Sequence, residues 1–208
     1  MFTVGPVAEN TYIFRRDGSD RALIVDPGDE PEKLLGAIDA LGVTLDGILL
    51  THTHFDHVGA VAPVARATGA EVWVPEIEAF VLADINSFVP WPGFGPFESY
   101  EAEHTLSGGE RLDLAGFQID VLSTPGHSPG HVTFSIADEA AIFSGDVLFQ
   151  QSIGRTDLPG GDHATLLDSI RMLVETLPAE TAVYPGHMGT TSLGAERATN
   201  PFLAELTR

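Results

Sequence analysis

The stretch DGILLTHTHFDHVGAVAPVARATGAEVWV, running from Asp46 to Val74, sets the fold class. It opens with the apolar run Asp46–Leu50 and passes into a polar loop. From His57 to Thr68 apolar Val58, Val61, Val64 and Ala65 then recur at helical spacing, and Gly69 closes the segment. Another short apolar run, Glu71–Val74, follows. Strand, helix and strand in this order predict crossover connections and an α/β fold. The loop between them is odd, because THTHFDH (Thr51–His57) holds three of the eight histidines in 208 residues.

The same alternation extends outward in both directions. Extended patterns lie at Asn10–Phe14 and Arg21–Asp26, the latter ending in the turn signal Asp26-Pro27-Gly28. A helix is predicted over Pro31–Leu41, with proline in its first turn and Gly42 as its stop. The second half gives strands at Glu110–Leu114, Phe117–Ser123, Val132–Ile136 and Ala140–Phe143. A helix at Ala164–Leu177, a strand at Ala182–Tyr184 and a short helical stretch complete it. Between the halves, Asn86–Glu103 is rich in proline and aromatic residues and reads as a long loop. With no linker or low-complexity segment, residues 1–208 are expected to form one domain.

Bulk composition limits the function classes. Hydrophobic residues make up 43% and charged residues 19%, which suits an ordinary folded chain. No apolar run approaches the roughly 20 residues of a membrane span, and the N-terminus lacks the pattern of a secretory leader. A cytoplasmic location with no membrane partner is the expectation. The net charge of -20, with Lys33 the only lysine, opposes a phosphate backbone, so no nucleic-acid partner is expected. The chain has no cysteine, which removes disulfides, thiolate ligands and a thiol nucleophile together.

His52, His54, Asp56 and His57 carry the chemistry of the loop. In extended backbone alternate side chains share a side, so His52 and His54 can aim at one point. Asp56 and His57 fall where the chain turns into the helix and can serve a second point nearby. One histidine in a polar turn is ordinary surface chemistry. Four imidazole and carboxylate groups in six positions suit zinc and its borderline neighbours better. Other strand ends add to them: STPGH brings His127, SGD brings Asp146 and YPGH brings His187, each in a glycine-containing turn.

THTHFDH, TPGH, GD and PGH in this order resemble the metallo-β-lactamase superfamily, over nearly the whole chain. Within it, VDPGDEPEKL (Val25–Leu34), SIGRTDLPGGD (Ser152–Asp162) and TTSLGAERATNPF (Thr190–Phe202) resemble the short glyoxalase II (hydroxyacylglutathione hydrolase)-like proteins. The resemblance implies a four-layer αββα sandwich holding two divalent metal ions, zinc first, with iron or manganese as alternatives. One ion would take His52, His54 and His127; the other would take Asp56, His57 and His187. Asp146 would bridge them. The implied activity is hydrolysis of a small thioester such as S-D-lactoylglutathione by a metal-bridging hydroxide, with Asp56 orienting or deprotonating the water. A persulfide dioxygenase with one iron on His52, His127 and Asp146 is the first alternative, and a lactonase or β-lactam hydrolase the second.

Other residues are expected to play supporting or purely structural parts. His131 is read as a hydrogen-bonding neighbour of the site, and Asp26 as either a partner of a ligand histidine or a plain turn residue. Arg155 and Asp157 are expected to pair, either holding their loop near the site or merely decorating the surface. Phe88, Trp91, Phe94 and Phe97 either wall a substrate cleft or pack on the sandwich edge. His104 and His163 are read as surface or helix-start residues.

Overall fold

The structure is a computed structural model and describes residues 1–204, so the last four residues of the expected 1–208 domain lie outside the described residues. Six strands form one sheet in sequence order: β1 (Phe2–Val4), β2 (Glu9–Arg15), β3 (Arg21–Val25), β4 (Thr44–Leu49), β5 (Val72–Pro75) and β6 (His104–Leu106). Its first two pairings are antiparallel, and β3 to β6 are parallel. The second half continues with β7 (Arg111–Leu114), β8 (Phe117–Ser123), β9 (Val132–Ile136) and β10 (Ala141–Gly145). After a small hairpin of β11 (Leu148–Phe149) and β12 (Ser152–Ile153) come β13 (Ala182–Pro185) and β14 (Thr191–Ser192). The second sheet has the order β14-β13-β10-β9-β8-β7, with only β10 and β13 parallel.

Helices cover the outer faces. Helix α1 (Pro31–Leu41), the short α2 (Phe55–Val58), α3 (Val61–Thr68) and α4 (Ala79–Ala83) belong to the first half, and α5 (His163–Thr176) and α6 (Leu193–Thr199) to the second. Alternation along each strand sorts side chains between two cores. Leu23, Val25 and Leu49 point between the sheets, against Ile119, Val121, Phe134 and Phe143. Their neighbours Ala22, Ile24, Ile48 and Leu50 point the other way, onto Leu34, Ile38, Val61 and Val64 of α1 and α3. On the far side Ile142 and Val183 meet Leu166, Ile170 and Leu173 of α5 and Leu193 of α6. The result is the expected four-layer αββα sandwich. No helix among the described residues is long and apolar enough to cross a membrane.

Local departures have local causes. The helix expected over His57–Thr68 is interrupted at Gly59-Ala60, where Ala60 N donates to Pro27 O at 3.0 Å instead of closing a helical turn. Gly59 is crowded there: a Cβ would lie 2.5 Å from Gly28 O and 2.8 Å from the Phe97 ring. The predicted helix at Ala164–Leu177 starts one residue earlier, because Asp162 caps it by accepting from Thr165 N at 2.7 Å. His104 is a surface residue, as expected, with its side chain 41% exposed; it opens β6 and stacks on Trp73 with ring centroids 4.3 Å apart.

Strands β8, β10 and β13 run in one direction, by their parallel and doubly antiparallel pairings, and so end on the same edge of the second sheet. The loop after β4 meets them from the first sheet: Val132 N donates to Thr51 O at 2.8 Å. Sequence segments scattered over the chain are thereby brought to one edge.

A candidate metal centre

Two groups of ligand-type atoms gather at this edge. In the first, His52 Nε2 lies 3.1 Å from His54 Nδ1, which lies 2.8 Å from His127 Nε2. In the second, the ligand-type atoms of Asp56, His57 and His187 all fall within 4.8 Å of one another. Asp146 stands between the two. Its Oδ2 is 3.5 Å from His127 Nε2 and 3.5 Å from His187 Nε2, and its Oδ1 is 3.3 Å from His57 Nε2. The structure thus brings together all seven residues singled out from the sequence.

Most of the rings are oriented from behind. His127 Nδ1 donates to Arg155 O at 2.8 Å, which leaves Nε2 as the unprotonated nitrogen facing the group. His57 Nδ1 lies 2.9 Å from Asp26 Oδ2, and His187 Nδ1 lies 3.3 Å from Ala8 O. His52 Nδ1 meets Thr51 Oγ1 at 3.1 Å. Asp26 also accepts from Thr51 N at 2.8 Å and from Thr51 Oγ1 at 2.6 Å. It is therefore a partner of the site and not merely a turn residue. His131 is buried with both nitrogens engaged: Asp146 N donates to its Nε2 at 3.1 Å, and Nδ1 reaches Thr124 Oγ1 at 3.0 Å. It supports the Asp146 turn as a hydrogen-bonding neighbour.

Glycines let these turns close. At Gly145, with φ of 46°, a Cβ would sit 2.4 Å from Thr51 Oγ1 and 2.5 Å from His131 Nε2. At Gly186 a Cβ would lie 2.3 Å from Asp146 Oδ1 and 2.5 Å from the His57 ring. Any side chain at Gly186 would occupy the space between those two groups.

Protonation follows the surroundings. Burial and neighbouring rings hold His52 well below the ordinary imidazole value and bring His54 down to about 4, so both rings are neutral, the form that can bind a cation. Burial opposes ionisation of Asp146, but His57, His187 and His127 outweigh it and hold the carboxylate far below its usual range. His57 is the converse: burial lowers it, and Asp146 and Asp26 raise it further than burial lowers it. His57 Nε2 and Asp146 Oδ1 are both buried without a hydrogen-bond partner. Unpartnered buried atoms cost free energy unless another group satisfies them. The donor set of imidazole nitrogens and carboxylate oxygens, with two such atoms left over, fits divalent cations.

Three features escaped sequence reasoning. Glu78 is buried and accepts from Thr53 N at 3.0 Å and Gly130 N at 2.6 Å, tying the THTHFDH loop to the TPGHSPGH loop. Glu9 is fully buried, with Oε1 3.9 Å from His57 Nδ1, and burial pushes its carboxyl well above the usual range. Asn10 donates to Pro185 O at 3.1 Å and Met188 O at 2.8 Å, bracing the His187 turn. For the last two, the polar run Glu9-Asn10-Thr11 opening a strand that continues Tyr12-Ile13-Phe14 was the available signal.

The remaining expectations divide. Arg155 and Asp157 do pair, at 2.6 and 2.7 Å, while the Arg155 carbonyl holds His127. Phe88 and Trp91 line a cleft of about 830 Å³ that also includes His54, Asp56, His127, Asp146 and His187. Phe94 and Phe97 instead pack on Phe55, with centroids 5.0 and 5.9 Å away.

Known proteins are similar to this chain over nearly its whole length. A hydroxyacylglutathione hydrolase, GloC of Haemophilus influenzae, is 38% identical over 200 residues, covering 90% of this chain and 89% of its own. The crystal structure of the B3 metallo-beta-lactamase BLEG-1 superposes with a TM-score of 0.91 at 41% identity, covering 97% of both chains. TTHA1623, solved in a di-iron-bound form, gives 0.87 at 44% identity, covering 97% of this chain and 98% of that one. The sequence profile of the metallo-beta-lactamase superfamily matches residues 4–187. The chain belongs to the metallo-β-lactamase superfamily, as a metal-dependent hydrolase with a candidate metal-binding His/Asp cluster.

Proposed function

We propose that the chain is a thioester hydrolase working with two divalent cations. His52, His54 and His127 would hold one, Asp56, His57 and His187 would hold the other, and Asp146 would serve both. The observation that carries this reading is the position of Asp146, within 3.5 Å of His127 and His187 at once, with Oδ1 and His57 Nε2 buried and unpartnered. Zinc is the first choice, since the imidazole-rich set binds it more tightly than manganese or ferrous iron in the usual affinity order. The di-iron form of TTHA1623 supports iron as the alternative.

Bound cations would supply a water oxygen that is nucleophilic near neutral pH and positive charge for the developing oxyanion. The chain's own part is orientation and proton handling. Asp56 Oδ2 faces the cleft 3.3 Å from His187 Nε2, where it orients the attacking water and accepts its proton. The water oxygen bonds to the carbonyl carbon, the carbon–sulfur bond breaks, and sulfur leaves with the electron pair as a thiolate. No side-chain nucleophile is required, in keeping with a chain that has no cysteine. Thioesters are favoured by the 38% identity to GloC. The net charge of -20 favours a small molecule over nucleic acid, and a cytoplasmic setting suits such a substrate.

Metal analysis of the native protein, followed by turnover of S-D-lactoylglutathione and of a simple acyl thioester, tests the proposal. Two equivalents of metal with thioester cleavage are expected. One iron per chain, with oxygen consumed on glutathione persulfide, would replace it by a dioxygenase. Faster hydrolysis of β-lactams than of any thioester would place the chain with BLEG-1 in activity as well as shape.

A further inference from the structure

Eight large apolar side chains are well exposed among the described residues, and five of them line the same cleft: Ile77, Phe80, Phe88, Trp91 and Met188. Exposed apolar groups normally scatter, so their concentration in one concavity marks a binding surface. Three separate segments supply them, around 77–80, 88–91 and 188, and they rise over a floor formed by His54, Asp56, His127, Asp146 and His187. Phe80 and Phe88 meet edge to face with centroids 5.4 Å apart. At about 830 Å³ the cleft is the size of ordinary small-molecule sites.

Charge on the walls is as informative as apolarity. Arg155 is the only lysine or arginine among the residues lining the cleft. Its Nε and Nη2 are already committed to Asp157 at 2.6 and 2.7 Å, and its guanidinium carbon lies 5.6 Å from the Trp91 ring centroid. Glu78, the acidic wall residue, spends both oxygens on backbone and hydroxyl donors. Glutathione carries two carboxylates and an ammonium group. Laid along these walls, each carboxylate would lose water without gaining an unpaired cation. An alkyl or aryl group would instead gain contact with four or five apolar side chains.

We infer that the cleft selects thioesters whose non-reacting part is uncharged and apolar, lying along Phe80, Phe88, Trp91 and Met188, over glutathione conjugates. This rests on the hydrolase reading for the reacting bond but not for the ligand class, which binding alone can test. The metal-loaded full chain is titrated with S-benzyl-N-acetylcysteamine, a neutral thioether, and with S-methylglutathione, following tryptophan fluorescence. Trp91 is the responsive tryptophan, since Trp73 is buried under His104.

The neutral ligand is expected to bind at least about tenfold tighter. Phe80→Ala/Phe88→Ala should weaken it by about tenfold more while leaving S-methylglutathione within twofold. These rings are 59% and 46% exposed, so their truncation opens no core. The kcat/KM of the phenylacetyl thioester of N-acetylcysteamine should exceed that of S-D-lactoylglutathione by a similar factor. Equal or tighter binding of S-methylglutathione, or no change in the double variant, overturns the inference. Preferential binding of the neutral thioether with no thioester cleaved would uphold the ligand class and sink the hydrolase reading instead.

Discussion

The two halves of the proposed metal centre are built by different means. In the His52–His54–His127 group each ring is buried or nearly so, and the fixed partners are close at hand. Thr51 Oγ1 holds His52 at 3.1 Å, and the Arg155 carbonyl holds His127 at 2.8 Å. In the Asp56–His57–His187 group acidic residues crowd one ring, with Asp26 at 2.9 Å and Glu9 at 3.9 Å from His57 Nδ1. His187 is more exposed and stands on a turn held from the other end of the chain, through Ala8, Asn10 and Tyr12. The first group is set by the ends of β4 and β8 and by loops lying directly behind them. The second depends on a strap from β2. A cation in the first should therefore survive perturbations that release one from the second.

Asp146 is the part common to both, and its removal should produce the largest effect. Asp146→Ala is expected to bind less than one equivalent of metal and to lose at least about 100-fold in turnover. Two tightly held equivalents, measured by elemental analysis after gel filtration, would break the picture of a shared carboxylate. Next comes Asp26→Asn, since Asp26 reaches His57 directly and His52 through Thr51. Metal affinity should fall by about 10- to 100-fold, and both equivalents should be affected. Weakening of only one would show that Thr51 holds His52 without help from Asp26.

This division also explains what could be read from the sequence. The seven ligand-type residues were legible because four crowd the loop after β4 and the other three follow strands in short glycine turns, signals contained within a few residues. The layers were legible because Leu23–Val25 and Ile48–Leu50 are apolar without interruption, the pattern of strands buried on both faces. The break at Gly59-Ala60 was not, since the spacing of Val58 and Val61 fits a continuous helix and Ala60 N is drawn instead to Pro27 O, far back in the sequence. Edge strands such as β1, β6 and β14 hold two or three residues each, too few to show a period. The strap was hidden for another reason. Asn10 and Pro185 are separated by 175 positions, and nothing local to either names its partner.

Asn10→Ala tests whether the second group leans on that strap. The amide donates to Pro185 O and Met188 O, and Met188 sits at a φ of 68°, a left-handed conformation that needs support in a residue with a side chain. Without it the second equivalent of metal should bind about tenfold more weakly, with the first within twofold of the parent. Stepwise titration with a chromophoric chelator resolves the two. Equal weakening of both equivalents would remove the distinction between the groups.

Tyr12→Phe should have the smallest effect, and it separates support of the turn from support of the fold. The Tyr12 hydroxyl donates to Pro185 O at 2.8 Å, yet that carbonyl keeps the Asn10 amide at 3.1 Å. The ring stays in place, packed edge-on to Phe143 and Tyr184 with centroids 5.3 and 5.5 Å away. Burial pushes the phenol above its ordinary value, so the lost group is a neutral donor at any practical pH. The cost is then one hydrogen bond to an oxygen that retains a partner, about 1 kcal/mol. For a chain of this size that corresponds to a Tm lower by about 2–4 °C, with both metal equivalents unchanged. A fall in metal affinity at constant Tm would instead assign Tyr12, alongside Asn10, to the strap that positions His187.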